Sequence, residues 1–429
     1  MAGTSSTNIQ GDFKEAYASK IENLIPQCAY IQQEVPFVPR QQRTGNLYHL
    51  PVILSSSQGF TYGAVSAGAM TLNNAVSMNM GDAQIQGVQL CLQNTISFEA
   101  VAKSKENSFE SATKLVIDDS SESQRKRLEL MFLYGQSTTG LGLATQASQV
   151  ASSSTVTTYI VTEGQWSAGI WSGLENAQVN FYYSTSTLVS SGADAIFTIT
   201  SVDPDTRTLT ITGTTTGSSA LVTAINGQST VRPYFVGAFG VEAAGLQKIL
   251  SNTGSLFNID AASYSLWRSN VITITGALNY GRIQQAVAKC TVRGLDEDVT
   301  VLVNPMVYID VSNQITALRR FTSAEDNKSG KMGTGETLNF YGPQGAMVKV
   351  VPHLFVKQGD AFVVPMKRVL RVGSLDMSFS LLGNDSDQDF LYPIPGTSAY
   401  FFYLYSLQAI IVMTPARCAY ISGFLPTTN

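Results

Sequence analysis

Charged residues are scarce in this chain of 429 residues. Lys, Arg, Asp and Glu make up 14% of it, against roughly 25% in soluble domains, and hydrophobic residues make up 44%. The net charge of −4 and the isoelectric point near 5.3 argue against a protein that holds nucleic acid tightly, because such proteins concentrate Lys and Arg. So little charge is expected where copies of a chain cover one another, but an ordinary β-rich protein full of Ser and Thr has the same composition.

Histidine is nearly absent, and the cysteines form no motif. His49 and His353 are too few for most hydrolase and metalloenzyme schemes, which use imidazole as a base or a ligand. No CxxC pair suggests a zinc site or a disulfide framework among the four cysteines, which are Cys28, Cys91, Cys290 and Cys418. We therefore expect no enzyme, no catalytic residue, no cofactor and no metal.

The Gly-rich stretches lack the spacing of nucleotide-binding loops. No Gly stands five residues before Gly330, and Met332 replaces the hydroxyl residue that would hold magnesium after Lys331. The TGLGLA stretch lacks a third Gly and a preceding strand. Neither stretch predicts a phosphate or dinucleotide site.

An acidic cluster has the alternate spacing of a calcium loop and consists of Asp385, Asp387 and Asp389. Phe390 stands where the sharp turn of such a loop requires Gly, and no Glu occupies the closing position. We interpret the cluster as a solvated acidic loop whose carboxylates are candidates for contacts with Lys or Arg of a neighbouring subunit.

No secretory or membrane-spanning segment is expected. The start, MAGTSSTNIQGDFKEAY, lacks a basic stretch followed by an apolar one, so we expect the chain to stay in the cytoplasm where it is made. Residues 390–416 are uncharged, but prolines interrupt them and their apolar core is shorter than the ~20 residues of a spanning helix. Aromatic and β-branched residues predict a buried strand there instead.

The first hundred residues predict an arm and a long hairpin. Residues 1–44 are typical of an arm with one short helix after Asp12, which needs a neighbour to fold against. Residues 45–104 contain two β-prone runs, LYHLPVIL and GVQLCLQNTISFEAV, around a middle rich in Gly, Ser, Ala, Asn and Met. Candidates for contacts between subunits in this hairpin are Phe60, Tyr62, Met78 and Met80.

Residues 105–135 contain the best helix candidate, which ends at Tyr134-Gly135. A continuous helix over 105–133 would be about 43 Å long. Its middle, DDSSESQRK, lacks apolar residues. Two shorter helices, with Ser121 and Gln124 as a capping box for the second, are the alternative.

A change of composition marks a separate β unit. Residues 136–231 contain no Lys, one Arg and many Thr, Ser, Val and Ile. Runs such as AIFTITSV and TLTIT, joined by VDPDTRT as a tight turn, predict a small antiparallel β domain at 152–232. The remainder mixes helices and strands, with VTVLVNPMVYIDV as a buried strand and turn, so the class is α+β.

Four stretches, in this order, show a family likeness: LELMFLYGQSTTGLGL, AAGLQKILSNTGSLFNIDAASYSLWRSNV, GLDEDVTVLVNPMVYIDVSN and RVGSLDMSFSLLGNDSDQDFLYPIPGTSAYFFYLYSLQAIIVMTPARCAYISGF. The first is an apolar helix end running into Tyr-Gly and a polar turn, and the third has a strand ending in Asn-Pro. The last has two strands around a loop, followed by Thr-Pro. Their order resembles the major capsid proteins of tailed phages, which have the Hong Kong 97-type fold.

The resemblance implies a Hong Kong 97-like capsid fold of class α+β, with an inserted small antiparallel β domain. The implied segments are an N-terminal arm (1–44), an extended loop formed by a long β hairpin (45–104), the spine helix of the peripheral domain (105–135), an axial domain (136–151 and 233–372), the inserted β domain (152–232), and the closing strands and loop of the peripheral domain (373–429). The inserted domain departs from the simplest family pattern.

The resemblance also implies a function. The chain would be a virion capsid protein, assembled in the host bacterial cytoplasm into hexamers and pentamers of an icosahedral shell around double-stranded viral DNA. Implied partners are copies of itself, a separate scaffolding protein, a portal, packaged DNA held non-specifically and a decoration protein, with no membrane. No Lys lies between Lys20 and Lys103, so a lysine cross-link from the extended loop is not expected. The alternatives are an encapsulin-type compartment shell, or another virion structural protein such as a tail tube or an adhesin.

Overall fold

The computed structural model describes residues 23, 25–26, 28–38, 46–65, 68–107, 112–151, 154–227, 230–319, 338–342, 345–379 and 391–427. The arm helix predicted after Asp12 lies almost wholly outside the described residues. So does the acidic loop with Asp385, Asp387 and Asp389.

The described helices and strands, in chain order, are as follows. The α-helices are α1 (Tyr30–Glu34), α2 (Phe98–Asn107), α3 (Ala112–Tyr134), α4 (Ala168–Trp171), α5 (Thr215–Asn226), α6 (Leu246–Leu250), α7 (Tyr280–Val292) and α8 (Pro305–Arg319). The first ten strands are β1 (Tyr48–Ser55), β2 (Asn79–Ile85), β3 (Val88–Ser97), β4 (Ala144–Gln149), β5 (Val156–Val161), β6 (Gln178–Tyr183), β7 (Phe197–Asp203), β8 (Thr208–Thr212), β9 (Val231–Phe235) and β10 (Ser255–Leu256). The next ten are β11 (Ile259–Asp260), β12 (Asn270–Thr273), β13 (Val299–Val303), β14 (Leu338–Tyr341), β15 (Met347–Pro352), β16 (Asp360–Val364), β17 (Val369–Ser378), β18 (Tyr392–Pro393), β19 (Ala399–Val412) and β20 (Ala419–Ser422).

Helix α3 runs unbroken for 23 residues through the stretch that lacks apolar side chains. The hydroxyls of Ser120 and Ser121 donate to the carbonyl oxygens of Val116 and Ile117 one turn earlier, at 2.6 and 2.9 Å. Ser121 therefore lies inside the helix, and the alternative of a second helix capped by Ser121 is wrong. The helix stops at Gly135, where a Cβ atom would lie 2.1 Å from the carbonyl oxygen of Ala243.

A four-stranded sheet packs against α3, and β19 is its central strand. β19 is antiparallel to β17 on one edge and to β3 on the other. Its alternate side chains, such as Phe402 and Leu404, are fully buried while those between them are half-buried. The buried strand predicted within the uncharged aromatic run is confirmed.

A second, mixed sheet has the order β12-β20-β16-β13-β15-β14. β20 lies between β12 and β16 in this sheet, whereas β19, from the same predicted segment 373–429, lies in the four-stranded sheet. After β13 the chain forms α8 instead of the predicted turn. Pro305 occupies the first helical position and the Asn304 side chain accepts the N–H of Met306 at 3.0 Å, which together start a helix.

A third sheet, antiparallel, has the order β4-β5-β8-β7-β6-β9. The predicted tight turn joins β7 and β8, where the Asp203 carboxylate accepts the N–H of Asp205 at 3.1 Å. β4 forms one edge of this sheet and β9 forms the other, so the sheet extends on both sides beyond the predicted range 152–232. The chain enters and leaves the sheet side by side, because the N–H of Leu141 donates to the carbonyl oxygen of Pro233 at 2.9 Å.

The extended hairpin is paired differently from the prediction. β1 is antiparallel to β2, which lies within the Gly- and Met-rich middle, whereas the second β-prone run forms β3 and joins the sheet of β19. Burial explains the difference. Leu54, Ala83 and Ile85 are buried together at the base of the hairpin, while Ile96 of β3 is buried in the four-stranded sheet beside α3.

Candidate functional site

The hairpin stays paired well beyond its two strands. Gln58 and Val76 exchange backbone hydrogen bonds of 2.8 and 3.0 Å. Farther out, the Asn73 side chain donates to the carbonyl oxygen of Phe60, and its N–H donates to the Thr61 hydroxyl, both at 2.8 Å. Among the described residues, β1 and β2 form a sheet of two strands, with no third strand beside them.

The base of the hairpin is fixed to the segment that carries β10 and β11. The N–H of Gln84 donates to the carbonyl oxygen of Phe257 at 3.1 Å, and the Asn79 side chain donates to the Tyr264 hydroxyl at 2.6 Å. His49 and Asp82 face each other across the strands, 2.6 Å apart, and this hydrogen bond lowers the pKa of the Asp82 carboxyl. The hairpin thus projects in a defined direction from an anchored base.

All four apolar residues predicted as contact candidates lie on this hairpin and are exposed. The exposed fractions are 69% for Phe60, 93% for Tyr62, 50% for Met78 and 53% for Met80. Sequence reasoning missed five further exposed apolar side chains of the hairpin, which are Ile53, Val65, Met70, Leu72 and Val76. A sequence signal was present, because Leu50 to Gly81 contains no Lys, Arg, Asp or Glu.

This exposure is costly unless something covers the hairpin. A fully buried large apolar side chain gains about 1.5–3 kcal/mol relative to an exposed one. Two-stranded hairpins are marginally stable in water, and exposed strand edges usually carry charges that prevent pairing with other chains. Clusters of exposed apolar side chains mark interaction sites. The hairpin is therefore the candidate assembly surface. The other predicted contact residues, Asp385, Asp387 and Asp389, lie outside the described residues.

A second feature, absent from the sequence predictions, lies at the end of α3. We call it the polar hub, and it consists of Glu129, Tyr134, His353, Lys357 and Asp360, all buried. The Glu129 carboxylate accepts the N–H of Ile31 at 2.7 Å and lies 3.0 Å from Nε2 of His353. Burial acts to lower the pKa of His353, but its interactions with Cys28 and Glu129 raise that pKa to about 9, so a cationic ring donates from Nε2 to the Glu129 carboxylate. Glu129 thus joins α1 and the segment at 353 to α3.

The other half of the polar hub is a fully buried lysine. Nζ of Lys357 donates to Oγ1 of Thr139 at 2.9 Å and to the carbonyl oxygen of Gly140 at 2.8 Å. It lies 4.3 Å from the centroid of the Tyr134 ring, and the Tyr134 hydroxyl donates to Asp360 at 3.1 Å. Burial lowers the pKa of Lys357 to about 8 and raises the pKa of Asp360. The hub connects the helix, the loop after it and the mixed sheet.

The polar hub is structural in character, since its side chains are buried and hydrogen-bonded within the subunit. Within the described part of the chain, no group of three or more His, Cys, Asp or Glu side chains is placed to hold a metal ion. None of the helices described is both long and apolar enough to span a membrane.

No protein-family model matches this chain, and no curated protein matches its sequence. Solved structures match it over nearly their whole length. The capsid chain of cyanophage A-1(L) is 10% identical, covers 98% of this chain and 99% of itself, and superposes with a TM-score of 0.57. The capsid of a native GTA particle is 9% identical over 99% of this chain and 100% of its own, with a TM-score of 0.49. An encapsulin complex from Synechococcus elongatus is 6% identical over 100% and 98%, with a TM-score of 0.46.

The match to the cyanophage capsid chain, over both complete chains, shows that this chain has the Hong Kong 97-type capsid fold. The predicted Hong Kong 97-type fold and its α+β class are confirmed, and the inserted β domain stays a prediction.

Proposed function

We propose that this chain is the major capsid protein of a tailed phage and that it assembles into hexamers and pentamers of an icosahedral shell around packaged double-stranded DNA. One observation carries the proposal. A hairpin that carries no charged residue between positions 50 and 81 and exposes apolar side chains projects from an anchored base on a chain with the capsid fold. Such a hairpin is suited to lie across a neighbouring copy.

The contact would be between different surfaces of identical copies. Contacts of this kind close into rings when the rotation between copies allows it, which suits hexamers and pentamers. Burying three or four of the exposed hairpin side chains would gain about 5–10 kcal/mol before the costs of association are subtracted. The polar hub supports this role because it holds α1, α3 and the mixed sheet together within one subunit.

We also propose the partners and location that such a role requires. These are a separate scaffolding protein, a portal, non-specific contact with packaged DNA, a decoration protein, a place in the virion capsid and assembly in the cytoplasm of the host bacterium. The net charge of −4 suits an inner wall that holds DNA weakly. No catalytic step is proposed, and the acidic loop with Asp385, Asp387 and Asp389 is proposed as a second contact with neighbouring copies.

The test is electron microscopy of the purified full chain, expressed with and without a scaffolding protein. Closed shells or capsomer rings are expected, with DNA inside when packaging proteins are present. Monomers under all conditions would contradict the shell function. Shells that hold a protein cargo would favour an encapsulin, and tubes would favour a tail protein.

A hairpin variant tests the assembly surface separately. Residues 59–75 are replaced by Asn-Gly, which preserves β1, β2 and the anchored base. The variant should keep the circular dichroism spectrum and melting temperature of the parent chain but form no closed shells. Normal shells from this variant would show that the hairpin is not needed for assembly.

A further inference from the structure

Among the described strands, β12 lies at the edge of the mixed sheet and has a partner on one side only. Within β12, the N–H of Asn270 donates to the carbonyl oxygen of Cys418 at 3.1 Å, and just beyond the strand Ile274 donates to Ser422 at 2.9 Å. Because backbone groups alternate in direction along a strand, those of Val271 and Thr273 face away from β20. In the part of the chain that the structure describes, these outward groups have no hydrogen-bond partner.

A groove of about 470 Å³ lies along this edge, between β12 and the end of α7. Its charged lining is entirely cationic and consists of Arg268, Lys289 and Arg293, and no Asp or Glu lines it. Among the described residues, none of these three cations has a carboxylate within ion-pair distance. By contrast, Arg368 and Arg417 nearby are paired with Glu297 and Asp296.

Three like charges beside one groove repel one another, and the chain as a whole is acidic. An anionic group in the groove would relieve this repulsion. The groove also has apolar surface, because Val271 is 45% exposed and Val292 is 88% exposed. A phosphate backbone offers nothing apolar to cover these two side chains.

We propose that the free edge of β12 binds an extended acidic segment of a partner polypeptide, which adds as a further strand of the mixed sheet. The backbone of this segment would bond to Val271 and Thr273. Its alternate side chains on the α7 side would be carboxylates facing Lys289 and Arg293, and the side chains between them would be apolar and lie beside Val271 on the other face. Charge complementarity, an unpaired strand edge and exposed apolar side chains favour a peptide over nucleic acid. This proposal concerns a different surface from the hairpin and does not depend on the shell function.

The test uses a fluorescein-labelled peptide of four alternating Asp-Val pairs and the full-length chain in unassembled form. Fluorescence anisotropy should show saturable binding, and the same peptide with Lys in place of Asp should not bind. The double substitution Lys289→Glu and Arg293→Glu should weaken binding of the Asp peptide at least about tenfold, because it replaces attraction by repulsion. Arg282→Glu, on the exposed part of the same helix, is the matched control and should leave the affinity unchanged.

Thr273→Pro tests strand addition itself, because it removes an outward N–H and leaves the bonds to β20 intact. We expect a similar loss of at least about tenfold, with an unchanged melting temperature. No saturable binding up to about 1 mM peptide would overturn the proposal. So would undiminished binding to Thr273→Pro or to the doubly substituted chain, or tighter binding of a short DNA duplex to the same three cations.

Discussion

The polar hub and the hairpin distribute polarity in opposite ways. In the hub, ionisable side chains such as Glu129, His353 and Lys357 are fully buried, and each has hydrogen-bond partners. In the hairpin, large apolar side chains such as Tyr62 are exposed, and no charged residue lies between Leu50 and Gly81. The hub is complete within one chain. Nothing in the described part of the chain covers the hairpin. The hub therefore stabilises a single subunit, whereas the hairpin is available for contact with another subunit.

The comparison has an energetic consequence. Removing one partner from a buried, hydrogen-bonded charge pair leaves the other uncompensated and costs several kcal/mol. Removing an exposed side chain costs a single subunit almost nothing. Mutations in the hub should therefore affect folding, and mutations in the hairpin should affect assembly alone.

The largest effect on the subunit is expected for Glu129→Ala. This change leaves the N–H groups of Ile31 and Gln32 and Nε2 of His353 without their buried acceptor, and we expect a loss of about 3–5 kcal/mol in unfolding free energy. Urea unfolding monitored by tryptophan fluorescence measures it. Asp119→Ala, at an exposed position of the same helix, is the control and should change stability by less than about 0.5 kcal/mol. Equal losses in the two variants would contradict the role given to the hub.

An intermediate effect is expected from the titration of Lys357. Its folded-state pKa of about 8 is below its ordinary value of 10.5, so between these values the unfolded chain retains a proton that the folded chain has lost. The contribution of Lys357 to the unfolding free energy is therefore lowest below pH 8 and rises as the pH increases toward 10.5. The difference in unfolding free energy between the parent chain and Lys357→Met should therefore increase by about 2 kcal/mol between pH 7 and pH 10.

Taking the difference between these two chains removes the contributions of cysteines and tyrosines that titrate in the same range in both. A difference that stays constant over this pH range would show that Lys357 is not the titrating group. A decrease would contradict the direction of the pKa shift.

The smallest effect on the subunit is expected for Phe60→Ser together with Tyr62→Ser. Both side chains are exposed, so the unfolding free energy of the unassembled chain should change by less than about 0.5 kcal/mol. Particle yield, measured by sedimentation, should fall strongly because apolar surface for the neighbouring copy is lost. Thr71→Ala, at an exposed position of the same hairpin, is a control that leaves this apolar surface intact. A destabilised subunit with a normal particle yield would contradict the assignment of the hairpin to assembly.

Local patterns predicted much of the fold. Tyr134-Gly135 located the end of α3, and the aromatic and β-branched residues of the uncharged run located β19. The exposure of Phe60, Tyr62, Met78 and Met80 was also predictable, because an uncharged Gly- and Met-rich stretch cannot build a core of its own.

Pairing between distant segments was not predictable in the same way. β20 joins β12 and β16, although its sequence is equally suited to the sheet of β19. β4 joins β5 through backbone hydrogen bonds, which leave no pattern in the sequence. The polar hub was missed for a related reason. Glu129 and His353 are far apart in sequence, and a single Glu in an apolar stretch and a single His beside Pro352 do not indicate each other.

The backbone hydrogen bond between Leu141 and Pro233 bears on how the antiparallel sheet could have been acquired. The stretch between them begins and ends at neighbouring points, so the polypeptide that surrounds it follows nearly the same path whether the stretch is long or short. A gene encoding a smaller ancestor could acquire the antiparallel sheet in one event without rearranging the rest.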